Sequence, residues 1–184
     1  MLRVVRFDSF APSKRQRRQF DCGEPSLNEW LATRARQSLA SRDAVTYLLI
    51  DSSTDAPCIA GYYAMSSGSI ARKDVPATVA RRAPERIPAV LLGRFAIDVA
   101  YQGQGLGADL FAMALRQAVE AGALIGARVL FLYAVSEQAR EFSLHHDFDP
   151  SPVHRLLLMR DLRTIAASIE AAEQETIDHP DTGP

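Results

Sequence analysis

A glycine-rich segment in the middle of the chain, Gln102-Gly103-Gln104-Gly105-Leu106-Gly107, carries the strongest indication of the fold. An apolar run at 89–99 precedes it, and residues 104–121 carry apolar side chains at helical spacing. The segment therefore joins a predicted central strand to a predicted helix. Glycine lets the backbone approach a ligand closely, and the first N–H groups of a helix have no intrahelical acceptor. This combination predicts an anion site that suits a pyrophosphate.

Two other phosphate-binding motifs fit the segment poorly. A Walker loop requires Gly-Lys-Ser/Thr, which the segment lacks. A dinucleotide fingerprint requires Gly-x-Gly-x-x-Gly and an acidic residue beyond the next strand, and no such residue is evident. Taken alone, the segment would fit an ordinary tight turn equally well.

The rest of the chain combines predicted short strands with predicted helices. A length of 184 residues suits one buried core and is short for two. Ser26 followed by Glu29 predicts a capping box at a helix start, and Gly122 predicts a helix end. We expect one domain over residues 1–167 and a flexible acidic tail over 168–184. The predicted strands lie at 1–7, 45–50, 58–65, 89–99, 128–135 and 156–159, with a proline-containing surface excursion at 71–88.

The formal charges of the chain are unevenly distributed. The chain has 21 basic and 22 acidic residues, and five of the acidic ones follow residue 169, where Lys and Arg are absent. Residues 1–169 therefore carry 21 minus 17, or +4. Two basic runs fit either a phosphate backbone or an ordinary solvated surface. The first run comprises Lys14, Arg15, Arg17 and Arg18, and the second comprises Arg72, Lys73, Arg81, Arg82, Arg86 and Arg94.

Cysteine usage and hydropathy point to a reducing cytosol. The two cysteines, Cys22 and Cys58, form no C-x-x-C pair, so they indicate neither a disulfide framework nor a cysteine-ligated zinc. No apolar run approaches the roughly 18 residues of a membrane span. We therefore expect a soluble, cytoplasmic protein with no bound metal and no membrane association.

Several motifs resemble a known group of enzymes. Gln102, Gly105 and Gly107 match the Q-x-x-G-x-G pattern of GNAT-superfamily N-acetyltransferases. Over roughly residues 4–165, the chain also resembles the tRNA-acetylating toxins of type II toxin–antitoxin systems. The blocks that carry this closer resemblance are Phe20-Asp21-Cys22-Gly23, Leu27-Asn28, Trp30-Leu31, Leu91 to Asp98, and Phe148-Asp149-Pro150-Ser151-Pro152.

The resemblance implies a GNAT fold and acetyl-CoA as the acyl donor. Such a fold is α/β (α+β), with a mixed central sheet of about six or seven strands flanked by helices. The sheet would splay where the strand at 94–99 parts from the strand at 128–135, and the pantetheine arm would lie in that splay. A neutral amine would attack the thioester directly, with no metal. The implied cofactor-binding residues are Phe95, Ala96, Ile97, Asp98 and Val99 along the pantetheine, and Gln102, Gly103, Gln104, Gly105, Leu106 and Gly107 at the pyrophosphate.

The resemblance also implies the acceptor and the partners. The acceptor would be the α-amine of aminoacyl-tRNA, whose acetylation blocks translation, and the partners would be a ribbon-helix-helix antitoxin and a second copy of the chain. Two other hypotheses stay open: an N-acetyltransferase of a protein N-terminus or small amine, and a catalytically silent acetyl-CoA-binding partner of a DNA-binding antitoxin. The implied tRNA-binding residues are Lys14, Arg15, Arg17, Arg18 and Arg94.

One position departs from the family pattern. Ser143 stands where the family has a tyrosine that protonates the leaving thiolate, and Asp147 replaces a glycine. A serine hydroxyl could act there only through a bridging water, and losing a general acid typically costs about 10²–10⁴ in rate. Three explanations stay open: a naturally weak or inactive enzyme, a Tyr→Ser change introduced so that a toxic protein can be produced, or a relocated acid. The candidates for a relocated acid are Tyr133, His145 and His146.

Overall fold

The computed structural model describes residues 1–53 and 56–178 of the chain. Within these ranges, seven strands form an open sheet flanked by helices, as the predicted α/β fold requires. The strand order is β1-β2-β3-β4-β5-β7-β6. The strands are Leu2–Arg6 (β1), Val45–Asp51 (β2), Cys58–Ala71 (β3), Arg86–Ile97 (β4), Val129–Tyr133 (β5), Asp149–Pro150 (β6) and Leu157–Asp161 (β7).

The helices vary from single turns to a helix of 20 residues. A π-helical turn, Trp30–Arg34, joins α3 to α4, and 3₁₀ turns occur at Arg72–Asp74 and Val99–Tyr101. The helices are Phe7–Phe10 (α1), Lys14–Gln19 (α2), Pro25–Glu29 (α3), Ala35–Ala40 (α4), Ala77–Ala80 (α5), Leu106–Ile125 (α6), Glu137–His145 (α7) and Leu162–Asp178 (α8).

The chain divides into two compact units, and the first combines Met1–Ser67 with Leu91–Ala114. In this unit β2 pairs antiparallel with both β1 and β3, so the predicted strands at 45–50 and 58–65 form a hairpin. Leu31 and Ala35 are fully buried one helical turn apart, so the helix docks one apolar face inward. The hydrophobic core of this first unit comprises Phe7, Phe20, Leu27, Leu31, Ala35, Leu48, Ile50, Ile59, Tyr62 and Ala96.

The N-terminal helices of this unit differ from the sequence prediction. The predicted capping box at Ser26 is wrong, because α3 begins two residues earlier, at Pro25, and the side chain of Glu24 caps it. Proline suits the first helical position, where its missing N–H has no acceptor to lose. A capping box does form at Ser13 and Gln16, at the start of α2, which carries the first basic run.

The second unit combines Gly68–Val90 with Leu115 onward. In it β7 pairs antiparallel with β5 and with β6. The predicted helix end at Gly122 is wrong, because α6 continues to Ile125. A Cβ at Gly122 would lie 2.5 Å from Leu162 Cδ1, so this glycine allows close packing of α8. Gly126, with a φ of +73°, follows the helix instead.

The described part of the C-terminal segment is helical. The predicted flexible tail begins at residue 168, but α8 continues to Asp178, and an ion pair joins Glu173 to Arg116 of α6. Residues 179–184 lie outside the described residues. The domain boundary at residue 167 stays a prediction. Among the helices of the described ranges, none has the length and apolar character needed to cross a membrane.

Candidate functional site

The turn between β4 and α6 has the backbone that the glycine-rich segment predicts. Gly103 and Gly105 adopt φ values of +74° and +81°, in the left-handed region that other residues rarely adopt. A Cβ at either position would meet no atom within 4 Å. The two glycines are therefore required by backbone conformation and leave the outer side of the turn open to a ligand.

The start of α6 presents unpaired amide groups at this turn. The carbonyl oxygen of Gly105 accepts from the N–H groups of Ala108 and Asp109, at 3.0 and 3.4 Å, so the helix begins at Leu106. The N–H groups of Leu106 and Gly107 consequently have no acceptor within the helix. The dipole of the 20-residue helix adds a partial positive charge at the same end. The turn therefore fits a diphosphate.

The two glutamine side chains of the turn bind the protein's own backbone. Gln102 Nε2 donates to the carbonyl oxygens of Ile97 and Cys22, at 2.9 and 3.1 Å. Gln104 Nε2 donates to Ala100 O at 3.0 Å. Both side chains thus stabilise the path of the turn, and Gln102 links it to the segment around Cys22.

The strand that leads into the turn is partly committed to internal hydrogen bonds. The N–H of Asp98 donates to Ala60 O at 3.0 Å, and the N–H of Val99 donates to Asp21 O at 2.8 Å. The carbonyl oxygen of Ile97 is also occupied, because it accepts from Gln102. The expectation that the whole of Phe95–Val99 offers its backbone to pantetheine therefore does not hold for these groups, and it stays a prediction for the other backbone groups of Phe95–Ile97. The ring of Phe95 packs edge-on against that of Phe111, with 5.3 Å between the ring centroids.

The predicted role of Arg17 in tRNA binding also differs from its place in the structure. Its side chain is only 8% exposed, NH1 donates to Ala32 O at 2.7 Å, and the guanidinium lies over the ring of Phe7. Burial and the neighbouring Arg36 and Arg18 lower the pKa of Arg17. A buried guanidinium that already donates to a carbonyl is a structural group, so we remove Arg17 from the predicted tRNA-binding set.

The other predicted phosphate-binding residues remain accessible. Lys14, Arg15 and Arg18 are exposed on α2. Arg94 is half-buried, donates to Gly93 O, and lies over the ring of Trp30, with its guanidinium carbon 5.6 Å from the ring centroid. The block around Trp30 therefore orients Arg94.

Trp30 and Tyr62 form an aromatic stack, and Arg94 lies over its Trp30 ring. The two rings stack at 5.9 Å with planes 4° apart. The hydroxyl of buried Tyr62 donates to Leu27 O at 2.8 Å, and burial raises the pKa of this phenol. Trp30 itself lies half-buried against the core. Tyr62 lies in a predicted strand, and no local signal in the sequence indicates its role beneath Trp30.

The side chain at the expected catalytic position is buried. Ser143, in α7 of the second unit, is 3% exposed, and its Oγ donates to Ala139 O at 2.9 Å. Its proton is therefore bonded to its own helix. Asp147, which replaces the family glycine, has a φ of +60°, a conformation that favours glycine.

The candidates for a relocated acid differ in their surroundings. Tyr133 is 60% exposed and rests edge-on against Phe131 at 6.2 Å. His145 is exposed. The ring of His146 lies 4.5 Å from that of Phe142, and burial lowers the pKa of His146. Burial thus weakens the tendency of His146 to carry the proton that an acid would donate.

Comparison with known proteins gives a consistent picture. No family model matches the chain. A tRNA-acetylating toxin of Mycobacterium tuberculosis is 36% identical over 149 residues, which cover 79% of this chain and 87% of that protein.

Two solved structures are similar over nearly the whole chain. One is AtaT complexed with acetyl-methionyl-tRNAfMet, with 28% identity, coverage of 92% of this chain and 99% of that chain, and a TM-score of 0.81. The other is a tyrosine-to-phenylalanine mutant of AtaT bound to the C-terminus of the antitoxin AtaR and to acetyl-CoA. It is 28% identical, the match covers 91% of this chain and 98% of that chain, and the TM-score is 0.73.

Proposed function

We propose a function from one premise: this chain belongs to the family of tRNA-acetylating toxins. The chain transfers the acetyl group of acetyl-CoA to the α-amine of the amino acid on a charged tRNA and so blocks translation. The observation that carries this proposal is the 36% identity to a tRNA-acetylating toxin over 149 residues. The turn at 102–107 supports it, because its open glycines and unpaired amides suit a diphosphate.

The acyl donor would be held by backbone groups. The N–H groups of Leu106 and Gly107 would bind the diphosphate, and the backbone of Phe95–Ile97 would pair with the pantetheine as an added strand does. When bound, acetyl-CoA supplies a thioester that a neutral amine can attack. An α-amine has a reference pKa of about 7.7–8.0, so about a tenth of it is neutral at pH 7. Positioning by the protein therefore matters more than a dedicated base.

The tRNA would be held through its phosphates. Lys14, Arg15 and Arg18 are exposed on one short helix, and Arg94 is oriented by Trp30. Arginine and lysine side chains bind phosphates without reading sequence, so these contacts would fix the position of the acceptor end. The second basic run adds Arg72, Lys73, Arg81, Arg82 and Arg86, all exposed, as a further candidate surface.

The partners follow from the same family membership. We propose a ribbon-helix-helix antitoxin as the cognate partner, a homodimer as the active form, and the cytoplasm as the compartment. The AtaT complex with the C-terminus of AtaR supports an antitoxin as the partner.

A second candidate function rests on Ser143. Its hydroxyl is buried and bonded to Ala139 O, so it offers no proton to a leaving thiolate. A chain without a general acid would bind acetyl-CoA and act only with its antitoxin on DNA.

Mass analysis of a charged tRNA pool separates these functions. The pool is incubated with this chain and acetyl-CoA, and the aminoacyl groups are then analysed. Acetylated aminoacyl-tRNA is the expected product. If acetyl-CoA binds but no aminoacyl group gains an acetyl, the silent binder is favoured. If the chain acetylates amines on peptides but not on tRNA, the proposed acceptor is wrong.

A further inference from the structure

We propose that Asp21 and Asn28 are positioning residues for the acetyl-CoA turn. They form the centre of a hydrogen-bonded brace, defined here as residues 21–23, Asn28, Asp98 and Gln102. The brace holds the chain at 98–102 and thereby fixes where the amides of the following turn point. This inference rests on the proposed function, because it assigns a role toward acetyl-CoA.

The inner part of the brace is a closed set of hydrogen bonds around Asn28. Asn28 Oδ1 accepts from the N–H and the thiol of Cys22, at 2.9 and 3.1 Å. Asn28 Nδ2 donates to Asp21 Oδ1 at 2.7 Å, and the N–H of Gly23 donates to the same oxygen at 2.9 Å. One asparagine thus contacts two consecutive residues, Asp21 and Cys22, and Asp21 Oδ1 holds the third. The φ of +82° at Gly23 permits this tight path.

Cys22 and Asp21 are in the protonation states that these hydrogen bonds require. Burial raises the pKa of Cys22, so its thiol stays protonated and can donate. The hydrogen bonds from Gly23 and Asn28 lower the pKa of Asp21, so its carboxylate stays charged and can accept.

The outer part of the brace consists of three hydrogen bonds to residues 98–102, which lead into the turn at 102–107. The N–H of Asp21 donates to Asp98 Oδ2 at 2.9 Å, and the N–H of Val99 donates back to Asp21 O at 2.8 Å. Gln102 Nε2 donates to Cys22 O at 3.1 Å. Asp98 also accepts from the N–H of Ala100 through Oδ1, at 3.0 Å. Both ends of the 98–102 segment are therefore tied to residues 21–22.

The turn needs such support because its two left-handed glycines contribute no side-chain packing. Gly103 and Gly105 have no side chain, and the space where one would stand is empty for 4 Å. Glycine is also the residue that loses most backbone freedom on ordering. A turn ordered before the ligand arrives avoids that loss during binding, so preorganisation raises affinity. The two sequence blocks Phe20-Asp21-Cys22-Gly23…Leu27-Asn28 and Q-x-x-G-x-G are thus parts of one device.

Calorimetry with CoA and with pantetheine tests the proposal on the Asn28→Ala variant. CoA carries the diphosphate and pantetheine lacks it, so a brace that acts through the turn should affect only the first ligand. We expect CoA to bind about tenfold more weakly, with the Kd for pantetheine unchanged. Ser26→Ala is the matched control, because the Ser26 hydroxyl lies in the same helical turn and donates to Glu24, outside the brace. Its affinity for both ligands should equal that of the unmodified chain.

Hydrogen exchange of the ligand-free protein gives a readout independent of binding. Amides at 98–107 should exchange faster in Asn28→Ala than in Ser26→Ala, while β2 amides stay equally protected. Gln102→Met keeps the length of the side chain and removes the hydrogen bond from Gln102 Nε2 to Cys22 O. If Asn28→Ala does not fold, Gln102→Met should show the same pattern.

Two outcomes overturn the brace. One is CoA affinity and amide exchange in both brace variants equal to the control. The other is an equal loss for CoA and pantetheine, which would indicate general damage to the fold. Failure of the unmodified chain to bind CoA at all would instead overturn the proposed function.

Discussion

Replacing Ser143 by tyrosine should raise the acetylation rate by a large factor. In the family pattern a tyrosine at this position protonates the leaving thiolate, whereas the Ser143 proton is bonded to Ala139 O at 2.9 Å. A positioned general acid contributes about 10²–10⁴ in rate, which corresponds to about 3–5 kcal/mol of barrier. We therefore expect Ser143→Tyr to acetylate charged tRNA about 10²–10⁴ times faster than this chain.

The substitution also carries a stability cost that must be kept apart from the rate. Ser143 is 3% exposed, so a phenol ring has to find space in a packed region, and overpacking typically costs about 1–3 kcal/mol. The lost Ser143–Ala139 hydrogen bond adds little, because serine bonds of this kind within a helix stabilise it weakly. A native domain with about 5–15 kcal/mol of stability tolerates this sum.

Ser143→Phe is the control that separates the ring from the acid. It introduces the same ring without the hydroxyl, so both variants should share one melting temperature shift. Single-turnover acetylation of a charged tRNA pool, at saturating acetyl-CoA, then measures the contribution of the hydroxyl alone.

Equal rates for the tyrosine and phenylalanine variants would refute this reasoning, provided that both are folded and bind acetyl-CoA equally. The acid would then lie elsewhere, and Tyr133→Phe in the unmodified chain would test the exposed tyrosine. A drop in rate with that variant would identify a relocated acid.

Three further predictions concern charge, the turn and pH. Arg18→Ala should reduce the slope of log affinity for tRNA against log salt by about one unit, with the melting temperature unchanged. Arg17→Ala should instead lower the free energy of unfolding by about 1–3 kcal/mol in chemical denaturation. A stable Arg17→Ala variant with the reduced slope would restore Arg17 as a phosphate ligand. Gly105→Ala should weaken acetyl-CoA binding about tenfold in calorimetry, because the φ of +81° costs a residue with a side chain about 1–2 kcal/mol. Unchanged affinity would mean that the turn can adopt another conformation. Burial lowers the pKa of His146, which also faces His145, Asp147 and Arg160. Because the unfolded chain therefore binds a proton at a higher pH than the folded chain, the free energy of unfolding should fall as the pH drops below about 6.5. A pH series of melts in which the His146→Gln variant loses as much stability would contradict this.

Local sequence patterns predicted the parts of the fold that depend on local rules. Two β-rich runs separated by turn-forming residues predicted the strands of the β2–β3 hairpin. The glycine-rich segment predicted the strand–turn–helix unit, which contains two left-handed glycines. Gly122 shows where such rules end. A helix stop and a close helix contact both select glycine, and only the position of Leu162, forty residues later, distinguishes them.

Side-chain roles at the site were less predictable, because they depend on distant partners. Nothing near Arg17 in sequence marks it as different from Arg18, yet one is buried against Ala32 and the other is exposed. The sequence places Asn28 in a motif but assigns no role to its side chain. Its role emerges only when the loop at 21–23 lies beside Asp98, which is about seventy residues away in the chain.

The π-helical turn at Trp30–Arg34 lets the N-terminal helix hold one residue more than a regular α-helix with the same facing. The N–H of Ala35 reaches back five residues to Trp30 O, so this turn holds one residue more than an α-helical turn would. Removing one residue from the turn would close it to an α-helical turn, and the residues after it would keep nearly the same facing. Ala35 would stay in the core, three residues after Leu31 instead of four, because both spacings place residues on one helix face. A one-residue deletion here should therefore be far less damaging than one in the middle of α6, where it would rotate the following residues by about 100°.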